Sequence, residues 1–137
     1  MSEQNRLRSQ RWFEEMWNQD RLEMIDEVLA ADCCGHMEEG EIVGRDAFKQ
    51  MRTELRRQFP NLAFKVEAIA AEGDLVAVRW KATGMHAGDG NDPAATHIPV
   101  EFRGTTWHRY EGGKLVEGWD CWNHGALEQQ LKQTAHA

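Results

Sequence analysis

The sequence predicts an α+β domain in which N-terminal helices close a cone-shaped, curved antiparallel sheet of four or more strands. Apolar residues recur at helical spacing up to about Asn61 and then alternate, so a run of helix patterns precedes a run of strand patterns. The Gly112-Gly113 pair between two aromatic-rich runs indicates a hairpin near the C-terminus. A chain of 137 residues suits one domain, 1–137, with a single core.

Three helices are predicted in the first half of the chain. The first covers about residues 3–18, where the apolar side chains fall at helical spacing: Leu7, Trp12, Phe13, Met16 and Trp17. Asp20 is predicted to cap a second, shorter helix, and residues 33–41 to form a connecting segment. A third helix begins at Asp46 and ends before Pro60, because the residue preceding proline is disfavoured in a helix.

The second half predicts four strands and a terminal helix. The strands cover residues 62–71, 75–86, 97–110 and 115–123, and a Gly-, Asp- and Pro-rich loop is expected at 87–95. Residues 126–133 are predicted to form one or two helical turns at the end of the chain.

Composition excludes several classes of function. The net charge of −7 argues against a nucleic-acid partner, since binding to phosphates requires clustered Lys and Arg. The basic cluster at Arg52, Arg56 and Arg57 alternates with an acid and is expected on a solvated helix face. No apolar run approaches the roughly 20 residues of a membrane span, and the polar N-terminus is not a signal peptide.

Cysteine and histidine usage points to a reducing compartment and to no metal. Cys33, Cys34 and Cys121 form an odd set that does not resemble a disulfide framework, so a cytoplasmic location is expected. His36 lies close to several glutamates, but no helical or hairpin spacing organises them in the sequence. We therefore expect neither a bound metal nor a cofactor.

Asp120 is the residue that most suggests chemistry. Side chains alternate along a strand, so Asp120 and Trp122 share one face, whereas Trp119 and Cys121 share the other. If the face of Asp120 is concave, the indole shields the carboxyl from water, and desolvation raises its pKa toward the value a catalytic acid or base needs. The alternative is a carboxylate that points to solvent from the rim of the sheet.

The chain resembles the SnoaL-like polyketide cyclases, which share their fold with ketosteroid isomerase, scytalone dehydratase and nuclear transport factor 2. The resemblance covers nearly the whole length and rests on the order and spacing of short motifs. They are Trp17-Asn18, Leu22 to Val28, His36, Gly44 to Phe48, Phe59 to Leu62, Gly84 to His86, Arg109, Gly113 to Glu117, Trp119-Asp120 and Leu127 to Leu131.

This resemblance implies roles for individual residues. Asp120 stands where the family has its catalytic acid on the last strand, and Thr106 stands where the characterised cyclases have a substrate-binding His. His108 shares the face of Thr106. A two-residue Gly-Gly loop would pair Thr105 with Asp120 and put His108 on the opposite face, whereas a three-residue loop with a bulge would pair Thr106 with Asp120 and keep His108 beside it.

The implied reaction is an intramolecular aldol condensation that closes a ring of a polyketide ester, with Asp120 and His108 as the catalytic residues. Further residues are expected to contact the substrate. They are His36, Trp17, Met51, Trp80, His86, Thr106, Trp107 and Trp122: indoles as flat walls, and His86 at the mouth. Trp17 and Met51 stand where family members carry residues that shape ring stereochemistry.

Alternatives remain at the level of the sequence. A related isomerase or dehydratase would use the same carboxyl group, and an epoxide hydrolase would need Arg79 or Arg103 inside the cone. A non-catalytic binding protein for a small hydrophobic or polycyclic ligand is a second class, and an interaction module that uses the outer sheet face is a third. A homodimer through that outer face, which carries Trp119, is expected in any of these cases.

Overall fold

The computed structural model describes residues 2–87 and 98–135, so the loop predicted at 87–95 and the predicted strand start at residue 97 lie almost wholly outside the described residues. The helices are α1 (Ser2–Arg11), which continues as a π-helical segment (Trp12–Trp17), then α2 (Met24–Val28), α3 (Arg45–Gln58) and α4 (His124–Ala135). None of the described helices has both the length and the apolar composition of a membrane span.

Six strands form one curved sheet in the order β2-β1-β6-β5-β4-β3. They are β1 (Leu29–Met37), β2 (Gly40–Val43), β3 (Ala63–Glu72), β4 (Leu75–His86), β5 (Ile98–Glu111) and β6 (Lys114–Trp122). Neighbours are antiparallel except β1 and β6, which run parallel. The predicted α+β class, with N-terminal helices against a curved sheet, is confirmed.

The core lies between the concave face of the sheet and the helices. Val76, Val78 and Trp80 alternate along β4 and are buried, as the period of two requires. They meet Trp12 and Phe13 of the π-helical segment in one hydrophobic cluster. The residues between them on β4 point the other way, to the outer face of the sheet.

The segment expected to be a connection, 33–41, is mostly strand, and this prediction was wrong. Leu29 already has extended dihedral angles, which ends α2 at Val28, and β1 runs from there to Met37. A short turn then leads into β2, which pairs His36 with Glu41. The strand was not recognised because its second partner, β6, is remote in the sequence. In addition, Cys33, Cys34 and Gly35 do not show the alternation of apolar and polar residues that is typical of a strand.

Asp20 and Arg52 also differ from their predicted roles. Asp20 has a left-handed backbone with φ of 57° and does not cap α2, which begins after Glu23. Its carboxylate instead accepts a hydrogen bond from Arg52, which also donates to the Met16 carbonyl and lies near the Trp17 ring. Arg52 is only 5% exposed, so the basic cluster is not wholly on a solvated face.

Candidate active site in the cone

The concave face of the sheet and the helices enclose a cavity of about 260 Å³. Its wall is mainly aromatic: Trp12, Phe13 and Trp17 contribute from the helical side, and Trp80, Phe102 and Trp122 from the sheet. The polar groups that reach it include Thr106, His108 and Asp120. An apolar cavity with a few convergent polar groups is the usual form of a small-molecule site.

Gly104 leaves room for two of the indoles. It lies opposite Trp80 on β4 and Trp122 on β6. A Cβ at this position would lie 2.5 Å from Trp80 Cζ2 and 2.8 Å from the Cys121 carbonyl oxygen, closer than real contacts allow. Only glycine permits both rings to stand here.

A β-bulge sets the direction of Asp120. The hairpin loop is the two-residue Gly112-Gly113 turn, with φ of 55° and 80°, the left-handed values that a type I′ turn requires. The strands first pair Tyr110 with Leu115 and then Arg109 with Glu117, so Val116 is an extra residue in β6. Thr106 therefore faces Asp120. The pairing attributed to a three-residue loop is produced by a two-residue loop and a bulge beyond it.

Asp120 is held by a short chain of hydrogen bonds. The Thr106 hydroxyl donates to Asp120 Oδ1 at 2.5 Å, and Trp80 Nε1 donates to the same hydroxyl oxygen at 2.9 Å. Burial in the apolar wall raises the pKa of Asp120, the Thr106 hydrogen bond opposes this, and the negative charge of Glu39 adds to it. Desolvation is the largest of these effects, so the carboxyl holds a proton more readily than a solvated aspartate does.

His108 lies on the same face and is fully enclosed, with 3% of its surface exposed. Burial lowers its pKa to about 4, so the imidazole is neutral near pH 7. Its Nδ1 lies 2.8 Å from Ser9 Oγ, which lies 2.8 Å from the Tyr110 hydroxyl. The ring also stacks on Phe13, with centroids 6.2 Å apart.

The hydrogen bonds of Ser9 and Tyr110 indicate which ring nitrogen of His108 carries the proton. Ser9 has one proton to donate, and the Tyr110 hydroxyl has no other partner among the described residues. If Tyr110 donates to Ser9 and Ser9 donates to Nδ1, each buried hydroxyl proton has an acceptor. The proton of His108 is then on Nε2, which hydrogen-bonds to nothing in the described part of the chain. His108 thus offers a neutral N–H donor in the cavity wall.

Ser9 and Tyr110 were not identified from the sequence. A serine in a helix carries no chemical signature, and only its position three residues before Trp12 and four before Phe13 places it on their face. Tyr110 was read only as a strand residue. Burial raises its pKa to about 12, the Ser9 hydrogen bond opposes this, and the hydroxyl stays protonated.

Of the predicted substrate contacts, five line the cavity. They are Trp17, Met51, Trp80, Thr106 and Trp122. Trp17 packs on Phe64 with ring centroids 5.0 Å apart, and Trp122 packs on Phe102 at 4.9 Å.

Three predicted contacts lie elsewhere. Trp107 alternates with Thr106 and His108, so it points outward, is 46% exposed and lies opposite Trp119. His36 is on the same outer face, where its ring stacks on Trp119 at 5.5 Å. His86, at the far end of β4, packs on the Phe59 ring at 5.2 Å and is not part of the cavity wall.

The arginines required for an epoxide hydrolase also point away from the cavity. Arg79 and Arg103 are exposed on the outer face, each 3.9 Å from Glu67. The strand alternation that buries Val78 and Trp80 leaves Arg79 outside, so neither arginine is inside the cone as an epoxide hydrolase would need.

The outer face carries a cluster that the sequence analysis judged unorganised. The hairpin of β1 and β2 places Cys34, His36 and Glu41 together, with one potential ligand atom from each within 4.8 Å of the others. His36 also contacts Glu117 on β6, and these two glutamates raise its pKa, Glu117 most strongly. We expected no metal because we saw no hairpin spacing that would bring His36 together with its neighbouring glutamates. The β1–β2 hairpin does so, and that part of the reasoning was wrong.

A curved, unclosed six-stranded sheet packed against N-terminal helices over an apolar cavity defines a cone-shaped α+β domain of the nuclear transport factor 2 type. The chain belongs to the SnoaL-like polyketide cyclase family, whose profile matches residues 7–131. No curated protein sequence matches it significantly.

Solved structures agree with this assignment. AclR from Streptomyces galilaeus, a proposed hydroxylase, is 26% identical, with 97% of this chain and 98% of that chain covered and a TM-score of 0.84. IdmH from Streptomyces antibioticus, a proposed polyketide cyclase, is 26% identical, with 94% and 99% covered and a TM-score of 0.81. A proposed polyketide cyclase from Acidithiobacillus ferrooxidans is 24% identical over 98% of both chains, with a TM-score of 0.85, and shows the fold alone.

Proposed function

We propose that this protein is a cofactor-independent cyclase that closes a ring of a small polyketide ester by intramolecular aldol chemistry, with Asp120 as general base and acid. The observation that carries the proposal is the carboxyl of Asp120 in an aromatic cavity, where desolvation raises its pKa, beside the neutral His108. Membership of the SnoaL-like family and the similarity to IdmH support the reaction class.

The proposed step moves one proton and forms one carbon–carbon bond. The ionised form of Asp120 removes a proton from the carbon next to a substrate carbonyl, and the resulting enolate attacks a second carbonyl carbon of the same molecule. The new alkoxide then takes the proton back from Asp120, so the product is an isomer of the substrate. One carboxyl group can perform both transfers when its pKa lies closer to neutrality.

His108 supplies charge stabilisation in this scheme. A neutral imidazole N–H that needs no reorganisation can donate to the enolate oxygen as negative charge develops there. Ser9 is a positioning residue, because its hydrogen bond to Nδ1 keeps the proton of His108 on Nε2. Thr106 and Trp80 hold the carboxyl of Asp120 in one orientation.

The size of the cavity favours a compact substrate. Its volume of about 260 Å³ lies just below the roughly 300–1,000 Å³ of drug-sized ligand pockets. A ligand of one or two rings suits this volume better than the polycyclic ligand considered from the sequence. The aromatic wall offers flat surfaces for stacking on both sides of such a ring system.

Replacement of Asp120 tests the proposal. An aromatic diketo-ester with one uncyclised side chain serves as substrate, product formation is followed by chromatography, and binding is measured by quenching of tryptophan fluorescence. We expect Asp120→Asn to lower kcat by about 100-fold or more and to leave the Kd within about threefold of the wild-type value. Cys121→Ser is the matched control, because Cys121 neighbours Asp120 but lies on the outer face.

The same experiment distinguishes the binding protein from the enzyme. If the wild type binds the ester without turning it over and Asp120→Asn binds equally well, the non-catalytic alternative replaces the enzyme. If Asp120→Asn retains wild-type turnover, the assignment of this carboxyl as the acid and base is wrong.

A further inference from the structure

The outer face of the β1–β2 hairpin brings together three side chains that are common metal ligands. Cys34 and His36 are alternate residues of β1 and share its outer face, and Glu41 lies directly opposite His36 on β2. A thiol sulfur, an imidazole nitrogen and a carboxylate oxygen all lie within 4.8 Å of one another. None of the three residues lines the cavity, so the cluster is separate from the proposed active site.

The spacing of these atoms is close to that of a tetrahedral zinc site. Bond lengths of about 2.3 Å to sulfur and about 2.0 Å to nitrogen and oxygen place neighbouring ligand atoms roughly 3.3–3.6 Å apart. His36 Nδ1 and Glu41 Oε1 are already 3.1 Å apart. The Cys34 sulfur lies within 4.8 Å of an imidazole nitrogen of His36 and of a carboxylate oxygen of Glu41. Tetrahedral coordination therefore requires these atoms to move closer together, and the Glu41 side chain is exposed and has room to move.

The second nitrogen of His36 is held as it is in many metal sites. Glu117 Oε2 accepts a hydrogen bond from Nε2 at 2.7 Å, and Arg109 lies 3.3 Å from the other oxygen of Glu117. A carboxylate that binds the non-ligating N–H of a histidine fixes its tautomer and turns the lone pair of the other nitrogen to the metal. In His36 the lone pair that a metal ion would use is that of Nδ1, the nitrogen that faces Glu41.

The charges around the cluster also favour a cation. Glu41 and Glu117 are both negative, and Arg109 is directed to Glu117 and not to Glu41. Nδ1 lies within hydrogen-bond distance of Oε1, and a metal ion bound between them would take the place of the proton that they share. A donor set of thiolate, imidazole and carboxylate suits Zn²⁺ and not Mg²⁺ or Ca²⁺, which take oxygen ligands.

We propose that Cys34, His36 and Glu41 bind a divalent transition metal ion, Zn²⁺ in the first instance, on the outer face of the sheet, with a fourth position open to water and Glu117 supporting His36. The ion would tie β2, the edge strand, to β1. This proposal is independent of the proposed cyclase activity, because its residues lie on the opposite side of the sheet.

Co²⁺ is the probe for this site, since it replaces Zn²⁺ and reports its ligands by absorption. Tag-free protein with reduced thiols is titrated with Co²⁺, and Zn²⁺ is then added to displace it. We expect one equivalent of Co²⁺ to produce the near-ultraviolet band of a thiolate-bound ion and the visible bands of four-coordination. We expect Glu117→Gln to weaken Co²⁺ binding about 10-fold, as loss of an outer-shell partner typically does.

Variants of the three ligands make the assignment specific. Cys34→Ser should abolish the thiolate band, and His36→Gln and Glu41→Gln should each weaken binding by about 100-fold or more. Cys121→Ser is the matched control, since it removes the exposed cysteine of the outer face that is not a proposed ligand and should keep the band. Glu41 is 64% exposed in its side chain, so Glu41→Gln tests the site without a risk to folding.

Three results would overturn the proposal. They are the absence of a thiolate band in the wild type, its persistence in Cys34→Ser, and its equal loss in Cys121→Ser. Unchanged Co²⁺ affinity in Glu41→Gln would likewise exclude this carboxylate as a ligand. Each of these readouts is independent of turnover, so the cyclase proposal can fail without affecting this one.

Discussion

The buried His108 should make the stability of the protein depend on pH in a way that can be calculated. In the unfolded chain a histidine takes up a proton near pH 6.5, whereas in the folded protein burial lowers the pKa of His108 to about 4. The unfolded state therefore binds more protons between these values, and stability is lost as the pH falls. Integrating between pH 7 and pH 5 gives a loss of about 2 kcal/mol from this one group.

Urea denaturation at both pH values measures this loss. The wild type should lose about 2 kcal/mol more than His108→Gln between pH 7 and pH 5, which corresponds to a shift of about 1 M in the urea midpoint. Because His108→Gln removes packing as well as a titratable group, the comparison is between pH dependences and not between absolute stabilities. Far-ultraviolet circular dichroism at pH 7 establishes that the variant is folded.

Asp120 acts with the opposite sign but cancels in the comparison. Its folded-state pKa is raised, so its contribution to stability falls as the pH rises above its unfolded value. This contribution is present in the wild type and in His108→Gln alike. If the two proteins show parallel pH dependences between pH 7 and pH 5, then His108 is not held neutral by burial, and the reasoning about its role as a neutral donor fails with it.

Three further predictions concern packing, charge and assembly. Gly104→Ala should lower the free energy of unfolding by about 1–3 kcal/mol in urea denaturation, because the new Cβ would lie 2.5 Å from Trp80. The control Gly118→Ala, whose Cβ would have no contact closer than 3.5 Å, should cost much less. Equal losses in the two variants would contradict this prediction. Asp20→Asn should lower the free energy of unfolding by about 1–3 kcal/mol, because it leaves the buried Arg52 without its anion. Asp26→Asn breaks the more exposed pair of Asp26 and Lys49 and should cost under about 1 kcal/mol. The reverse order would show that the burial of Arg52 does not decide the cost. If a homodimer forms through the outer face, Trp107→Ser should shift the sedimentation coefficient toward that of the monomer. Leu7→Ser is the control, because Leu7 lies on α1 and is equally exposed at 46%, and it should leave the dimer intact. A wild type that sediments as a monomer rules the dimer out.

Local pattern predicted the elements whose partners are close in the sequence. The strands β3 to β6 follow one another as antiparallel neighbours, and the alternation of Val76, Val78 and Trp80 is visible without their partners. By contrast, β1 pairs in parallel with β6, so nothing near Cys33 and Cys34 in the sequence indicates its second neighbour. Propensity therefore failed where a distant strand completes the sheet.

The site was predictable in its carboxyl group and not in its supporting residues. Asp120 between two tryptophans indicates a shielded acid, but its direction depends on the bulge at Val116, which has no sequence signature. Ser9 reaches His108 across 99 positions of the chain, a contact that only tertiary packing creates. The same holds for the buried Arg52, which was read as solvent-facing because its partner Asp20 lies 32 positions earlier, in the connection before α2.

The extra residue at Val116 has a consequence for how this protein could change over evolutionary time. Loss of that codon would remove the bulge but leave Arg109 opposite Glu117 and Thr106 opposite Asp120, because Val116 has no partner of its own. Loss or gain of one codon between Glu117 and Asp120 would instead turn the carboxyl group outward and Trp119 into the cone. The chain can therefore lose one residue at the bulge and keep an acid-bearing pocket, whereas the same change three positions later makes the pocket inert.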